Sequence, residues 1–287
     1  MTNEELEERS LEVADIPAAL QLSAEPGWNQ VADDWRLMIE HGDAFGFTAP
    51  GGQLVASGLT VVFQGPFGWI SMILVTAQYR RRGLATRLMQ LCVNALESRG
   101  QTPALDASSD GRQVYLGMGF KDVYATTRMF RAGTPAGRPA APGRSGVRLI
   151  ASQDLPALAV YDRMAFGADR AYLLEHLRSR APEFAFVAER EGRITGFILG
   201  RDGRTSSQLG PLVAEDAEIA LDLLQRALAA VPGPVCIDIA DRFTGLRRWL
   251  DEHGFMPIVP FTRMCLGRSR PFDDPKRIFA IAGPEFG

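Results

Sequence analysis

The clearest pattern of apolar and polar positions lies between Trp69 and Arg99. The stretch begins with a mostly apolar run, Trp69–Val75, whose shortness and β-branched residues favour a strand. It ends in a segment with the i, i+3, i+4 apolar spacing of an amphipathic helix, at Leu84, Leu88, Leu91, Cys92, Ala95 and Leu96. Three consecutive arginines, Arg80–Arg82, and then Gly83 separate the two segments. This pattern predicts a strand that enters a helix through a short basic loop.

The chain before this stretch predicts two helices and an antiparallel meander. Asp15–Ala24 and Gln30–Glu40 read as short helices; Pro17 lies early in the first, where a missing amide costs little, and Asn29 is a candidate N-cap for the second. Three strands follow, separated by turns rich in Gly and Pro, over Ala44–Ala49, Gln53–Phe63 and Phe67–Val75.

After the long helix, the chain returns to a strand over Thr102–Ala107. A crossover helix predicts that this strand pairs in parallel with the one before the helix. A short helix over Gly111–Met118 and a strand over Asp122–Arg131 complete the first half. Residues 133–146 are Gly, Pro, Ala and Arg without an apolar period, which predicts a linker.

The second half of the chain repeats motifs of the first. Gly119-Phe120 precedes Thr127-Arg128-Met129, and Gly254-Phe255 precedes Thr262-Arg263-Met264 at the same spacing. Leu105-Asp106 likewise resembles Ile237-Asp238 in a matching strand. The matching motifs and element order predict a tandem duplication, with domains over residues 1–132 and 147–287.

The elements of the second half support this division. A hairpin is predicted over Glu183–Glu189 and Ile194–Leu199, turned at Glu191-Gly192, and the strand Gln208–Val213 enters a helix over Asp216–Ala230. The apolar tail Ile278–Ile281 is expected to add a strand or to dock between the halves. The fold class expected is mixed α/β.

Composition excludes several classes of function. The 287 residues are 46% hydrophobic, enough for packed cores, and the net charge of −3 argues against a general polyanion binder, so the arginine run must act locally. Cys92, Cys236 and Cys265 lie in apolar contexts without metal-ligand spacing, which favours buried thiols and a reducing compartment.

No apolar run is long enough for a membrane span, and the acidic start is unlike a secretory leader, so we expect a cytoplasmic protein without membrane contact. The three histidines lack ligand spacing, and no metal is assigned.

The basic loop has the chemistry of a pyrophosphate site. The first amides of a helix have no intrahelical acceptor, and the helix dipole adds positive potential there. Gly83 lets the backbone approach a ligand closely, and Ala85 leaves room beside it.

These residues resemble the acetyl-CoA loop of the GNAT N-acetyltransferase superfamily. Arg80-x-x-Gly83-x-Ala85 matches the family pattern Q/R-x-x-G-x-G/A, and Tyr115-Leu116-Gly117-Met118-Gly119-Phe120 resembles its Tyr-x-x-x-Gly-Phe segment. The strand, loop and helix also occur in the family's order, over most of residues 1–132. The resemblance implies two tandem GNAT-like domains and acetyl-CoA as co-substrate.

The resemblance also implies roles for particular residues. The backbone of Ile73, Leu74 and Val75 is expected to pair with the pantetheine arm and to offer an N–H to the thioester carbonyl. The expected pyrophosphate ligands, chiefly through backbone amides, are Arg80, Arg81, Arg82, Gly83, Leu84, Ala85 and Thr86. Ser108 stands where the family usually has Asn and is a further cofactor candidate.

The candidates for chemistry and acceptor binding are fewer. Tyr115 is the candidate general acid, because a phenol holds its proton at neutral pH and a thiolate leaving group needs one. Asp106 is a candidate general base, with a water chain as the alternative. Trp28 is a candidate wall of the acceptor pocket, and Glu25 belongs to an acidic group near the acceptor side. For each, packing or solvation is the competing interpretation.

The second half lacks the cofactor chemistry. Its strand-to-helix segment, AEDAEI, contains no Arg and no Gly, and Glu215, Asp216 and Glu218 place negative charge at the helix start. Leu250 stands where Tyr115 stands in the first half. This half is expected to be structural or substrate-shaping and not to bind acetyl-CoA.

The leading hypothesis is an N-acetyltransferase that joins acetyl-CoA and a small primary amine by direct attack in a ternary complex. The alternative is a non-catalytic acyl-CoA sensor or scaffold. Nucleic-acid binding through the arginine run needs a broader basic surface than the sequence has. A homodimer is compatible with the sequence.

Overall fold

The computed structural model describes residues 6–133, 146–231 and 233–287. Their contacts divide the chain into two units, one ending at Leu105 and one beginning at Asp106. The linker predicted over 133–146 lies outside the described residues except for its two end positions.

The first unit is an antiparallel meander that ends in a parallel strand. Its helices are α1 (Ile16–Ala24), α2 (Ala32–Glu40) and α3 (Leu84–Ser98). Its strands lie side by side in chain order: β1 (Glu7–Ser10), β2 (Ala44–Thr48), β3 (Leu54–Val61), β4 (Phe67–Val75) and β5 (Thr102–Ser108), the last of which crosses the division between the units. The pairs from β1 to β4 are antiparallel, and β4 pairs in parallel with β5, as the crossover helix predicted.

Helix α3 packs closely on β3 and β4. Its buried face consists of Leu84, Leu88, Met89, Cys92, Val93 and Leu96. Gly58 of β3 permits the contact, because a Cβ at this position would lie 2.8 Å from Ile73 Cδ1 and 3.1 Å from Leu88 Cβ. The amphipathic pattern therefore positions the helix, and one glycine sets how close it comes.

The predicted start of α2 was wrong. The helix begins at Ala32 with Val31 as N-cap, so Asn29 lies outside it. The carboxylate of Asp34 accepts the Val31 backbone N–H at 2.9 Å. Asp34, the third residue of the helix, thus satisfies the backbone donor of the N-cap residue.

The second unit contains the last elements of the first half together with the whole second half. Its helices are α4 (Ser109–Gly117), α5 (Leu155–Phe166), α6 (Ala171–Arg180), α7 (Ala217–Ala230) and α8 (Thr244–Glu252). Its strands are β6 (Phe120–Arg131), β7 (Val147–Leu149), β8 (Phe186–Arg190), β9 (Arg193–Arg201), β10 (Ser207–Ala214), β11 (Val235–Ala240), β12 (Met256–Leu266) and β13 (Ile278–Ala280). They lie in the order β12-β6-β11-β13-β10-β9-β8-β7.

The two sequence repeats exchange strands. Strand β6, which belongs to the first repeat, lies antiparallel between β11 and β12 of the second repeat. The repeated Arg and Asp follow the same exchange: Arg128 pairs with Asp238 at 2.7 Å, and Arg263 pairs with Asp106 at 2.9 Å. Each repeat thus supplies the arginine for the other repeat's buried aspartate.

Two other sequence predictions are confirmed. The three cysteines are free and buried, and burial raises the pKa of the Cys265 thiol to about 11. The apolar tail forms strand β13. None of the helices among the described residues combines the length and apolar character needed to cross a bilayer.

Candidate functional site

Strand β4 is bulged and separates from β5 partway along its length. The parallel register pairs Phe67–Trp69 with Thr102–Ala104, yet β4 continues to Val75. The register against β3 shifts between Ser57 and Leu59, where Met72 adopts a positive φ of 52° and the Ser57 hydroxyl binds the Met72 carbonyl at 2.9 Å. A bulge of this kind bends a strand and re-aims its backbone groups. The sequence pattern predicted the strand but carried no signal for the bulge.

The antiparallel alternation shows which backbone groups face away from β3. The Thr76 N–H binds the Val55 carbonyl at 2.9 Å, and Val75 opposes Ala56 in the same register. Because inward and outward groups alternate along a strand, the amides of Val75 and Ile73 point away from β3, while that of Leu74 points toward it. Of the three predicted backbone contacts, those at Ile73 and Val75 are oriented for a ligand beside β4.

All three arginines of the basic loop between β4 and α3 are exposed. Arg81, at a φ of 61°, and Arg82 are exposed, and Arg82 lies over the Tyr79 ring at 4.7 Å. Arg80 and Arg82 also contact the chain: Arg80 Nε donates to the Val75 carbonyl at 3.1 Å and Arg82 Nη2 to the Gln78 carbonyl at 3.4 Å, although 56% of the Arg80 side chain stays exposed. Gly83 follows at a φ of 80°, and a Cβ there would have no neighbour within 4 Å, so the space beside this backbone is open.

The start of α3 fits an anionic group. Its intrahelical ladder begins where the Arg87 N–H binds the Gly83 carbonyl at 3.1 Å, so the amides of Leu84, Ala85 and Thr86 precede it. Gly83, the N-cap residue, offers no side chain to accept them. Open backbone, leading amides and the outward Arg81 and Arg82 suit a pyrophosphate.

Glu25 holds the turn at the end of β4. Its carboxylate accepts the Thr76 hydroxyl at 2.6 Å and the Ala77 backbone N–H at 2.8 Å, and it lies 3.8 Å from the Arg80 guanidinium. The Thr76 hydrogen bond, followed by that from Ala77, lowers the pKa of this carboxyl. The predicted acceptor residue is therefore directly bound to the predicted cofactor loop.

Trp28 lies in the segment between α1 and α2. Its backbone N–H binds the Ser23 carbonyl at 2.9 Å, and 37% of the residue is exposed. The exposed fraction is compatible with the predicted wall of a pocket, which stays a prediction.

Tyr115 and Ser108 belong to the second unit. The Ser108 hydroxyl accepts the Gly111 N–H at 3.3 Å, so Ser108 is the N-cap of α4. Gly111 makes room for the half-buried Tyr115, because a Cβ at Gly111 would lie 3.1 Å from the phenol oxygen. The Tyr115 ring also lies 6.1 Å from that of Phe120. The cap and the glycine thus orient the phenol, a support that the Tyr-x-x-x-Gly-Phe spacing alone did not reveal.

Asp106 is completely buried in an ion pair. Its two oxygens accept from the Arg263 guanidinium at 3.0 and 2.9 Å. Arg263 also binds Asp273 at 2.8 Å, and Asp273 accepts the Tyr124 hydroxyl. Burial raises the pKa of Asp106, while Arg263 opposes that rise. This environment favours a structural ion pair over the predicted proton transfer, because removing water and binding both oxygens leaves no path to an acceptor.

In the second repeat, strand β13 occupies the space that corresponds to the open side of β4 in the first repeat. Strands β10 and β11 pair in parallel only over Ser207–Leu209, and β13 enters the space beyond. Ala280 of β13 pairs with Leu212 of β10 and with Ile239 of β11. Asp216 caps α7 by accepting the Ile219 N–H at 2.9 Å. Both features agree with the expectation that this half does not bind acetyl-CoA.

No cluster of three or more His, Cys, Asp or Glu side chains suited to a metal ion occurs in residues 6–133, 146–231 and 233–287.

Two family models, each described as an acetyltransferase (GNAT) domain, match this chain over residues 20–136 and 158–280. The uncharacterized N-acetyltransferase YitH of Bacillus subtilis strain 168 is 26% identical over 243 residues, covering 84% of each protein. An uncharacterized N-acetyltransferase of Streptomyces avermitilis is 30% identical over 253 residues, covering 79% of this chain and 57% of that relative, so the chain spans little more than half its length. A putative acetyltransferase from Pyrococcus horikoshii has the same fold, with a TM-score of 0.81 at 21% identity over 100% of this chain and 98% of that one.

Proposed function

Because the chain belongs to the GNAT superfamily of N-acetyltransferases, with two such domains in tandem, we propose that it transfers the acetyl group of acetyl-CoA to the primary amine of a small molecule. The amine attacks directly while both reactants are bound. The observation that carries this proposal is the bulged end of β4, which pairs with β3 but no longer with β5 and leads into the open Arg/Gly loop of the first repeat.

The loop binds the coenzyme's phosphates. The amides of Leu84, Ala85 and Thr86 and the exposed guanidinium groups of Arg81 and Arg82 offer hydrogen bonds and positive charge to a pyrophosphate. Acetyl-CoA supplies the activated thioester; the chain supplies its placement.

The edge of β4 orients the reacting carbonyl. The outward amides of Ile73 and Val75 are donors for the pantetheine arm and for the oxygen that gains charge during attack. Removing one donor of this type costs about 3–4 kcal/mol in other acyl transfers. Simultaneous binding adds further acceleration, since well-oriented reactants reach effective molarities of about 10⁵ M or more.

Tyr115 donates the proton to the departing thiolate. This role rests on the family resemblance of its segment and on an orientation supported by Ser108 and Gly111. The amine loses its proton to water, because Asp106 is held by Arg263.

The decisive experiment is a panel of small primary amines incubated with acetyl-CoA, with free thiol measured, alongside calorimetry with CoA. We expect CoA binding and thiol release with at least one amine. Absence of CoA binding would overturn the proposal. Binding without turnover across the panel would favour the sensor or scaffold, an alternative that the ion-paired state of Asp106 supports.

Tyr115→Phe tests the general acid. We expect unchanged CoA affinity and a kcat lower by about 10²-fold, the lower end of what a positioned proton donor contributes. Tyr172→Phe, which removes only a hydroxyl group from α6 of the second repeat, is the matched control and should retain full turnover. An unchanged kcat in Tyr115→Phe would remove this residue from the mechanism.

A further inference from the structure

We propose that Glu25 is the positioning residue of the acetyl-CoA loop, and that it holds Arg80 against β4 as a backbone cap instead of a phosphate ligand. This assignment presupposes the acetyl-CoA site proposed above. It gives new roles to two residues, one expected to bind the acceptor and one expected to bind pyrophosphate.

The first step is the clamp itself. Glu25 follows the last residue of α1, whereas Thr76 and Ala77 follow the last residue of β4. One carboxylate oxygen accepts the Thr76 hydroxyl at 2.6 Å, and the other accepts the Ala77 N–H at 2.8 Å. A single side chain therefore ties the end of a helix to both a side chain and the backbone of the turn that begins the loop.

The second step is the direction of Arg80. Its Nε donates to the Val75 carbonyl at 3.1 Å, and its Nη2 lies 3.8 Å from the carboxylate of Glu25. The guanidinium thus makes one hydrogen bond to the backbone and one ion-pair approach to Glu25, while 56% of the side chain stays exposed. Arg81 and Arg82, which are exposed as Arg80 is, have no such contact with Glu25 or Val75 among the described residues.

The third step is what this arrangement does for the coenzyme. Val75 lies at the end of β4, where its amide points away from β3. Arg80 binds the Val75 carbonyl, and Glu25 binds Thr76 and Ala77 in the turn that follows. These hydrogen bonds hold the Val75 amide in one orientation before the ligand binds. A site ordered in advance loses less conformational entropy on binding, so its affinity for the ligand is higher.

The same contacts argue against acceptor binding by Glu25. Both carboxylate oxygens already accept charge-assisted or strong hydrogen bonds from the loop, and an ammonium substrate would compete with Arg80, Thr76 and Ala77 for them. A residue that holds the cofactor loop should alter coenzyme affinity, whereas an acceptor residue should alter the KM for the amine.

The test is calorimetric titration of CoA into the full chain and its variants. Glu25→Gln keeps the size of the side chain but removes its charge and one acceptor, and we expect CoA affinity to fall about tenfold, as for the loss of one charge-assisted hydrogen bond. Thr76→Val removes only the hydroxyl and should weaken CoA binding in the same direction; it also serves if Glu25→Gln does not fold. Glu40→Gln, an exposed carboxylate at the end of α2, is the control and should bind CoA as the parent does.

A double-mutant cycle tests the role of Arg80. If Glu25 acts through Arg80, Glu25→Gln in an Arg80→Gln background should cost less affinity than it costs alone. Fully additive effects would overturn the proposed link between the two residues. CoA affinity unchanged in both Glu25→Gln and Thr76→Val would overturn the clamp, and unchanged CoA affinity with a raised amine KM would return Glu25 to the acceptor site. Failure of the parent chain to bind CoA would instead overturn the proposed function.

Discussion

At the residue scale, the same arginine–aspartate contact begins each repeat. The Arg9 guanidinium binds Asp15 at 2.6 and 2.9 Å, and the Arg148 guanidinium binds Asp154 at 2.6 and 2.9 Å. Each aspartate also accepts the backbone N–H three residues earlier, at 2.8 and 2.7 Å. Each repeat therefore orients its first helix in the same way.

This contact had a sequence signal that the motif comparison missed. Arg9, Asp15 and Pro17 recur at identical spacing as Arg148, Asp154 and Pro156. The longer motifs around Phe120 and Phe255 established the duplication near the end of each repeat, whereas this pattern marks its start.

The two aspartates predict a loss of stability in acid. The hydrogen bond from Arg9 lowers the pKa of Asp15, and that from Arg148 lowers the pKa of Asp154. A carboxyl whose pKa is lower when folded contributes its stabilisation above its unfolded value, near 4 for Asp, and loses it as the pH falls below that value. Asp15→Asn and Asp154→Asn should each lower the free energy of unfolding at pH 7 by about 0.5–1 kcal/mol, because each loses a partly exposed ion pair with arginine while its amide oxygen can still accept the backbone N–H.

Urea unfolding at pH 7 and pH 3 checks this prediction. The difference between parent and variant should shrink at pH 3, because the unfolded parent's carboxyl takes up a proton near pH 4 while the folded one, with its lower pKa, resists protonation, which favours unfolding. Asp251→Asn, which alters an exposed carboxylate of α8, should change stability by less than about 0.5 kcal/mol at either pH. A difference that stays constant with pH would contradict the electrostatic explanation.

At the element scale, the two repeats differ in what lies beside the strand that precedes the helix. Beyond Trp69, β4 has no partner from β5 in the register, while the equivalent space beside β10 contains β13. Phe279 of β13 is buried and stacks on Phe243 with ring centroids 3.9 Å apart. The tail thus makes strand hydrogen bonds and apolar contacts at the position where the first repeat leaves a strand edge open.

Strand β13 should be essential to the stability of the second unit. Phe279→Ala removes a fully buried aromatic side chain, which typically costs about 3–5 kcal/mol. The exposed Met164, 71% accessible, provides the control Met164→Ala with an expected change below about 0.5 kcal/mol. Thermal unfolding measures both variants.

Loss of β13 packing should not create a second coenzyme site. Asp216 still caps α7, and the AEDAEI segment still lacks Arg and Gly. Calorimetry should therefore find no more CoA bound per Phe279→Ala chain than per parent chain. Additional CoA binding in the variant would show that β13 alone blocks the second repeat.

At the scale of the whole molecule, the sequence repeats and the contact units do not coincide. The repeats are separated near residues 133–146, whereas the contacts divide the chain at Leu105 and Asp106. The cause lies in β6, whose hydrogen bonds go to β11 and β12, and in the crossed pairs Arg128–Asp238 and Arg263–Asp106. Asp106 and Asp238 are both completely buried, so each needs its arginine from the other repeat.

Separate expression of residues 1–132 and 147–287 tests this exchange. Each fragment would retain a buried aspartate without its arginine, and breaking such a pair costs about 3–5 kcal/mol. We expect neither fragment to unfold cooperatively alone and expect co-expression to restore a soluble complex, measured by thermal unfolding and size-exclusion chromatography. A fragment that folds by itself would contradict the interdependence of the repeats.

Much of the fold and part of the site were accessible from the sequence. The spacing of apolar residues in α3 and the Arg/Gly loop before it predicted the helix and the open loop proposed to bind the cofactor, because helix periodicity and the need for an open backbone leave direct traces in residue type. The bulge at Met72, the hydrogen bond from Arg80 to the backbone and the Gly111 space for Tyr115 left none, because each depends on contacts between segments distant along the chain or on backbone angles that residue type does not specify.

The sequence by itself therefore determined the kinds and order of most elements of the first half, the duplication and the position of the loop proposed to bind phosphate. Those properties follow from periodicity, turn residues and charges that act over a few neighbouring positions. Only the tertiary structure decided that Arg263 forms an ion pair with Asp106 and that Arg128 forms one with Asp238. The two repeats carry the same arginine and the same aspartate, so local chemistry is equally satisfied within or between them, and the choice depends on which strands meet when the chain folds.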